Sequence, residues 1–184
     1  SAQITIVGLG QIGSSIGLAI KAHNLDLRRV GHDKDPQAAK ESQKAGAVDD
    51  VKYNLPASIR EARIVILALP LAAVRETLEI IAPDLQEGTL VLDTAPAKAT
   101  VAAWAKELLP PGRFYIGLTP AINPAIPTRT NLLSGISAFT NFLSMLATKY
   151  PLIPPINNVG ANMPPTPPAP FVELLATTFS SISP

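Results

Sequence analysis

The sequence predicts an α/β fold: a doubly wound, mostly parallel sheet with helices on both faces, followed by a proline-rich irregular C-terminal segment. Three observations carry this expectation. Short β-branched runs alternate with amphipathic stretches over the first 118 residues, a spacing that implies right-handed βαβ crossovers. With 184 residues, 47% of them hydrophobic and 16% charged, the chain is long enough for one domain with a hydrophobic core and short for two. Finally, charge runs out along the chain: 26 of the 29 charged residues lie in 1–118, whereas 12 of the 19 prolines lie beyond.

The elements follow in order. Gln3-Ile4-Thr5-Ile6-Val7 is a β-branched run stopped by Gly8, as suits a buried parallel strand. Residues 11–24 read as a helix, with Ile12, Ile16, Ala19, Ile20 and His23 at helical spacing. A second strand spans Arg29 to Asp33. Asp35-Pro36 then reads as an N-cap followed by proline at the first helical position, and that helix runs to Gly46 as its C′ residue. Ala47-Val48 reads as a brief strand, and residues 56–62 as a short helix. Residues 63–69 form the clearest strand of the chain, ending at Pro70. Helices over 71–82 and 97–109 each stop before proline, and strands over 88–93 and 113–117 alternate with them. Trp104 and Phe114 are expected in the core. Glu61, Glu76, Glu79 and Glu107 are expected on solvated helix faces.

Gly8-Leu9-Gly10-Gln11-Ile12-Gly13 is a GxGxxG run placed between a strand and a helix, the context in which the pattern has a mechanism. The first glycine allows the tight turn, the second lets the backbone approach a pyrophosphate, and the third lets helix pack close to strand. The helix N-terminus then presents free N–H groups to the phosphates. Asp33, 20 residues after Gly13, stands where a carboxylate accepts from the adenosine ribose hydroxyls. It would repel a 2′-phosphate, so NAD is expected over NADP. Leu69, Pro70 and Val74 are candidates to wall the adenosine. Thr94 and Lys98, after the strand ending at Asp93, fall on the nicotinamide side, where Lys98 would meet an anionic substrate. We therefore read residues 1–128 as a Rossmann-type dinucleotide-binding domain. Residues 129–184 are the remainder of that domain or the start of a second one.

Other function classes are disfavoured. A net charge of +1 gives no basic excess for nucleic-acid binding. No apolar run approaches the roughly 18 residues of a membrane span, and no secretory signal is expected at the start. The chain has no cysteine, which excludes disulfides and thiolate chemistry, and its only histidines are His23 and His32, both read as structural. A cytoplasmic protein is expected.

Several runs together resemble the prephenate and arogenate dehydrogenases. They are Ile4 to Ser15, Gly31-His32-Asp33-Lys34-Asp35-Pro36, Gly46-Ala47-Val48-Asp49, Ala62 to Pro70, and Leu108-Leu109-Pro110-Pro111-Gly112, within residues 3–120. The resemblance implies oxidative decarboxylation of prephenate or arogenate in tyrosine biosynthesis. Hydride passes from the ring carbinol carbon to the nicotinamide as carbon dioxide leaves. It also implies a Rossmann domain followed by an all-helical domain that carries the contacts of a homodimer and much of the substrate site.

The chain departs from the family pattern at two places. Where the family reads Asp-x-Gly-Ser-x-Lys, Asp93 and Lys98 match but Ala95 and Pro96 replace glycine and serine. Where the family places a proton-accepting histidine, Thr119 stands, with Asn123 nearby. A threonine hydroxyl can hydrogen-bond a substrate but is no general base near neutral pH. Two functions are compatible with these residues. One is an NAD-dependent dehydrogenase in which Thr119, Asn123 and Lys98 face a small anionic substrate; the other is a catalytically degenerate NAD-binding module or sensor.

Overall fold

The computed structural model describes residues 2–22 and 26–118. Among the described residues, six strands form one sheet: β1 (Ala2–Val7), β2 (Leu27–His32), β3 (Asp50–Val51), β4 (Ala62–Leu67), β5 (Leu90–Asp93) and β6 (Phe114–Gly117). Their order is β3-β2-β1-β4-β5-β6, and every neighbouring pair is parallel. This is the doubly wound order of the Rossmann fold, with its crossover point between β1 and β4. Among the same residues, five α-helices connect the strands: α1 (Gln11–Ala22), α2 (Pro36–Lys44), α3 (Leu55–Ile59), α4 (Leu71–Ile81) and α5 (Lys98–Leu108).

The period-two alternation of the strands divides the core between two faces. Ile4, Ile6, Ile64, Ile66, Leu90 and Leu92 point to one face and pack with Ile16 and Ile20 of α1 and Ala39 of α2. Val7, Val65, Leu67 and Val91 point to the other and pack with Ile59, Val74, Leu78, Ile81 and Val101 of α3, α4 and α5. The helix ends follow local chemistry. The Asp35 carboxylate accepts the Gln37 N–H at 2.9 Å with Pro36 behind it, so α2 starts as expected. At its other end Gly46 takes φ +79°, the Gly46 N–H donates to Gln43 O at 2.9 Å and the Ala47 N–H to Ser42 O at 3.0 Å. That pair of bonds is a Schellman closure.

Several expectations are corrected. Ala47 and Val48 are not a strand; both are buried in the turn after α2, and the strand falls at Asp50–Val51, paired with Val30 and Gly31. The apolar pair is used to pack against α1 and β2: a Cβ at Gly17 would stand 2.2 Å from Ala47 O, and one at Gly31 would stand 3.0 Å from Val48. Helix α3 ends at Ile59 rather than 62, because Ala62 already pairs with Gln3 as the first residue of β4. Ile12 is 40% exposed, whereas Ile16 and Ile20 at the same helical spacing are buried. Trp104 and Phe114 sit half-buried at the margins of the two clusters. Arg75 lies over the Trp104 ring and pairs with Glu79 and Glu107 at the surface. His32 Nδ1 lies 2.8 Å from Lys52 O. His23 and the segment from residue 119 lie outside the described residues. Among the described residues, no helix is long and apolar enough to cross a membrane.

Candidate functional site

The carboxyl ends of the parallel strands meet at one edge of the sheet, and the candidate residues collect there. The turn from β1 to α1 is the most constrained part. Gly8 takes φ +92°, and a Cβ there would stand 2.4 Å from Ala68 O. A Cβ at Gly13 would stand 1.9 Å from Gly8 O. Both glycines are thus required by the protein's own packing. Gly10 differs: a Cβ there would meet nothing within 4 Å, and the residue is exposed. Gly10 caps α1, its carbonyl accepting the Ser14 N–H at 3.0 Å, and its bare backbone leaves room for a phosphate group laid against the turn. Gln11 and Ile12 are exposed beside it at the N-terminus of α1, and Leu9 is tucked into the core.

Asp33 stands directly after β2 and beside this turn. Its Oδ2 accepts the Leu9 N–H at 2.7 Å and its Oδ1 accepts the Asp35 N–H at 2.8 Å. The neighbouring Gly8 N–H donates to His32 O at 2.9 Å, so the glycine turn and the end of β2 are held as one unit. The carboxylate is half-buried, and each oxygen keeps acceptor capacity beyond these bonds.

Across the crossover point, Leu69 is half-buried against the second core cluster and Pro70 is exposed ahead of α4. Val74 is fully enclosed in that cluster and presents no surface to a ligand. Its helix position turns it toward the sheet, so its role is packing. Thr94 is buried after β5, where its N–H donates to Leu67 O at 3.1 Å.

Lys98 is not a free helix-start cation. Its Nζ lies 3.1 Å from Oδ1 of Asp93, which is fully buried. The Tyr115 hydroxyl donates to the other oxygen, Oδ2, at 2.5 Å, and the Ala95 N–H donates to Oδ1 at 2.8 Å. Burial pushes the Lys98 ammonium below the ordinary lysine value, against the opposing pull of Asp93. Burial, with the bond to Asp93 and its charge, pushes the Tyr115 hydroxyl well above the ordinary tyrosine range, so it remains a neutral donor. Lys98 is thus paired with the buried Asp93, with its side chain 29% exposed. Sequence reasoning missed Tyr115. The signal was available: by strand alternation Tyr115 and Gly117 lie on the face that Asp93 uses. Thr119 and Asn123 lie outside the described residues. Among the described residues, no cluster of histidine and carboxylate groups is arranged to hold a metal.

A glycine turn of this form on a β3-β2-β1-β4-β5-β6 parallel sheet, with a carboxylate beside it at the end of β2, defines a nucleotide-binding domain of the Rossmann class. Over residues 16–130 the chain matches the family model of the prephenate dehydrogenase nucleotide-binding domain. That match covers well over half of the 184 residues, and the chain belongs to the prephenate dehydrogenase family. It is 37% identical over 107 residues to the prephenate dehydrogenase of Lactococcus lactis subsp. cremoris (strain MG1363), over 58% of this chain and 30% of that protein. The arogenate dehydrogenase of Synechocystis superposes with a TM-score of 0.59 at 26% identity, covering 67% of this chain and 42% of that one. The prephenate dehydrogenase of A. aeolicus, in complex with hydroxyphenyl propionate and NAD+, superposes with a TM-score of 0.60 at 12% identity over 100% of this chain and 79% of that one, a likeness of fold. The chain spans about a third of the length of the curated relatives it matches, from 30% to 36%.

Proposed function

We propose that this chain is the NAD-binding part of a cytoplasmic dehydrogenase that oxidatively decarboxylates prephenate or arogenate. The observation that carries the reading is Gly10, whose missing side chain leaves open space at the N-terminus of α1 beside Asp33. Gly8 through Gly13 would hold the pyrophosphate, Asp33 the adenosine ribose, and Leu69 and Pro70 the wall beyond it. NAD, when bound, supplies the hydride acceptor. The small anionic substrate would meet Thr119 and Asn123, and the homodimer would form through parts of the protein beyond this domain.

A second reading, an NAD-binding module without turnover, is favoured by one observation. In the turn after β5, Ala95 and Pro96 offer no hydroxyl, and Ala95 is buried. A turnover assay with NAD, offering prephenate and arogenate separately, distinguishes the two: product from either substrate supports the dehydrogenase, and binding of NAD without product supports the module.

The cofactor assignment itself is tested with Gly10→Val. A branched side chain enters the open space, so NAD affinity should fall at least about tenfold, or about 1.4 kcal/mol. The fold should be retained, with about 1 kcal/mol or less lost at the helix start. Unchanged NAD affinity in the folded variant, measured by calorimetric titration, would remove the assignment.

A further inference from the structure

The Asp93 carboxylate ties together three pieces of the chain that meet at the same edge as the glycine turn. Through its oxygens it holds the Ala95 N–H in the β5–α5 turn, Lys98 in the first turn of α5, and Tyr115 of β6. Its backbone carbonyl also accepts the Leu118 N–H at 2.8 Å, just past β6. Gly117 lies opposite Asp93 in the sheet register. A Cβ at Gly117 would stand 2.7 Å from Lys98 Cδ, 3.0 Å from Tyr115 Oη and 3.3 Å from Asp93 Oδ2. The absence of a side chain there is what lets the three groups share one volume.

The sheet order places this cluster relative to the cofactor. A Rossmann fold consists of two mononucleotide-binding halves, and in the order β3-β2-β1-β4-β5-β6 the counterpart of β2 is β5. Asp33, after β2, marks the adenosine half. The ends of β5 and β6 therefore flank the other mononucleotide, which carries the nicotinamide.

We propose that Asp93 is a positioning residue for the nicotinamide half of NAD: through Ala95, Lys98 and Tyr115 it fixes the spacing between the β5–α5 turn and the end of β6. This rests on the NAD reading above. The carboxylate does not touch the cofactor. It acts through the backbone it holds, so its removal loosens one half of the site and leaves the glycine turn and Asp33 in place.

The test compares NAD with ADP-ribose, which lacks only the nicotinamide. Both are titrated calorimetrically into the full chain and into Asp93→Asn and Tyr115→Phe, with folding checked by circular dichroism. NADH emission reports whether the ring is held away from water. In Asp93→Asn, ADP-ribose affinity should stay within twofold while NAD weakens about tenfold, and the rise in NADH emission on binding should be lost. Tyr115→Phe should show the same pattern at about threefold. Equal weakening of both ligands, or an unchanged NAD to ADP-ribose ratio, overturns the proposal, since a purely structural role moves both ligands together. If Asp93→Asn does not fold, Tyr115→Phe decides on the same ratio. Failure of the parent chain to bind either ligand overturns the cofactor reading and this proposal with it, whereas binding with an unchanged ratio in the variants overturns this proposal alone.

Discussion

Asp33 and Asp93 hold equivalent places in the two halves of the sheet, one after β2 and one at the end of β5. Their surroundings are opposite. Asp33 is half-exposed, and its two bonds come from backbone N–H groups of the turns beside it. Asp93 is fully buried and is met by an ammonium group, a phenol and an amide N–H. A backbone-held carboxylate at the surface keeps lone pairs for a ligand. A buried one surrounded by side chains has committed its oxygens to the fold. Residue type and topological place are the same, and burial is what differs.

The comparison breaks most visibly in stability. Asp93→Ala leaves a half-buried ammonium group and a half-buried phenol without their acceptor, and should lower stability by about 2 to 4 kcal/mol. Asp33→Ala should lower it by about 1 kcal/mol or less. Urea unfolding of the two variants side by side measures the difference, and equal losses would mean that the contrast in burial has no energetic counterpart.

The second expected effect belongs to Asp33 alone. Asp33→Ser removes a negative charge from the ribose end of the site, so the ratio of NAD to NADP affinity should fall by about tenfold, or about 1.4 kcal/mol. Paired titrations with the two cofactors check it. A ratio that does not move would shift the ribose contact to another residue, Asp35 first.

A third carboxylate sharpens the scale between these two. Asp49 pairs with the buried Arg29, whose guanidinium Nε and backbone N–H donate to Oδ2 at 3.2 Å and 2.8 Å. Burial alone would raise its pKa, but the bonds and charge of Arg29 outweigh this and hold it below the ordinary value of 3.8. A carboxylate depressed in the folded state contributes stability above its unfolded pKa and loses it as pH falls through the folded value. Asp49→Asn should therefore cost about 1 kcal/mol near neutral pH, at the low end because Asp49 is partly exposed. The gap to the parent protein should close as the pH drops below about 4. Thermal unfolding across pH 2 to 7 would show it, and a gap independent of pH would assign the loss to packing.

Where a residue's role is set by its own backbone, it was legible in the sequence. Gly8 and Gly13 are demanded by a turn, Asp35-Pro36 by a helix start and Gly46 by a helix end, and all four sit where pattern placed them. The apolar runs of β1, β4 and β5 were equally plain, because strands covered on both faces are dominated by β-branched and leucine residues, with Gln3, Thr5, Arg63 and Asp93 too few to break the pattern. Legibility failed where the partner is distant in sequence. Ala47-Val48 looks like a strand because apolar pairs do not reveal whether they face a ladder or a helix. The pairing of Lys98 with Asp93 and the approach of Tyr115 cannot be read until the fold brings them together. Val74 fits a wall as well as a core until α4 is rotated against the sheet.

Arg29 carries a consequence for how the molecule opens. Its Nη1 donates to Gly17 O in the middle of α1 at 3.2 Å, to Gly46 O at 3.0 Å and to Ala47 O at 3.4 Å in the turn after α2. One cation on β2 thus clasps a helix and a turn that have no covalent reason to move together. Fraying of the α2 turn must release and expose to water the same group that holds α1. The segment from β1 to β3 is therefore expected to breathe as one cooperative unit, with its amides exchanging with solvent at a shared rate, rather than element by element.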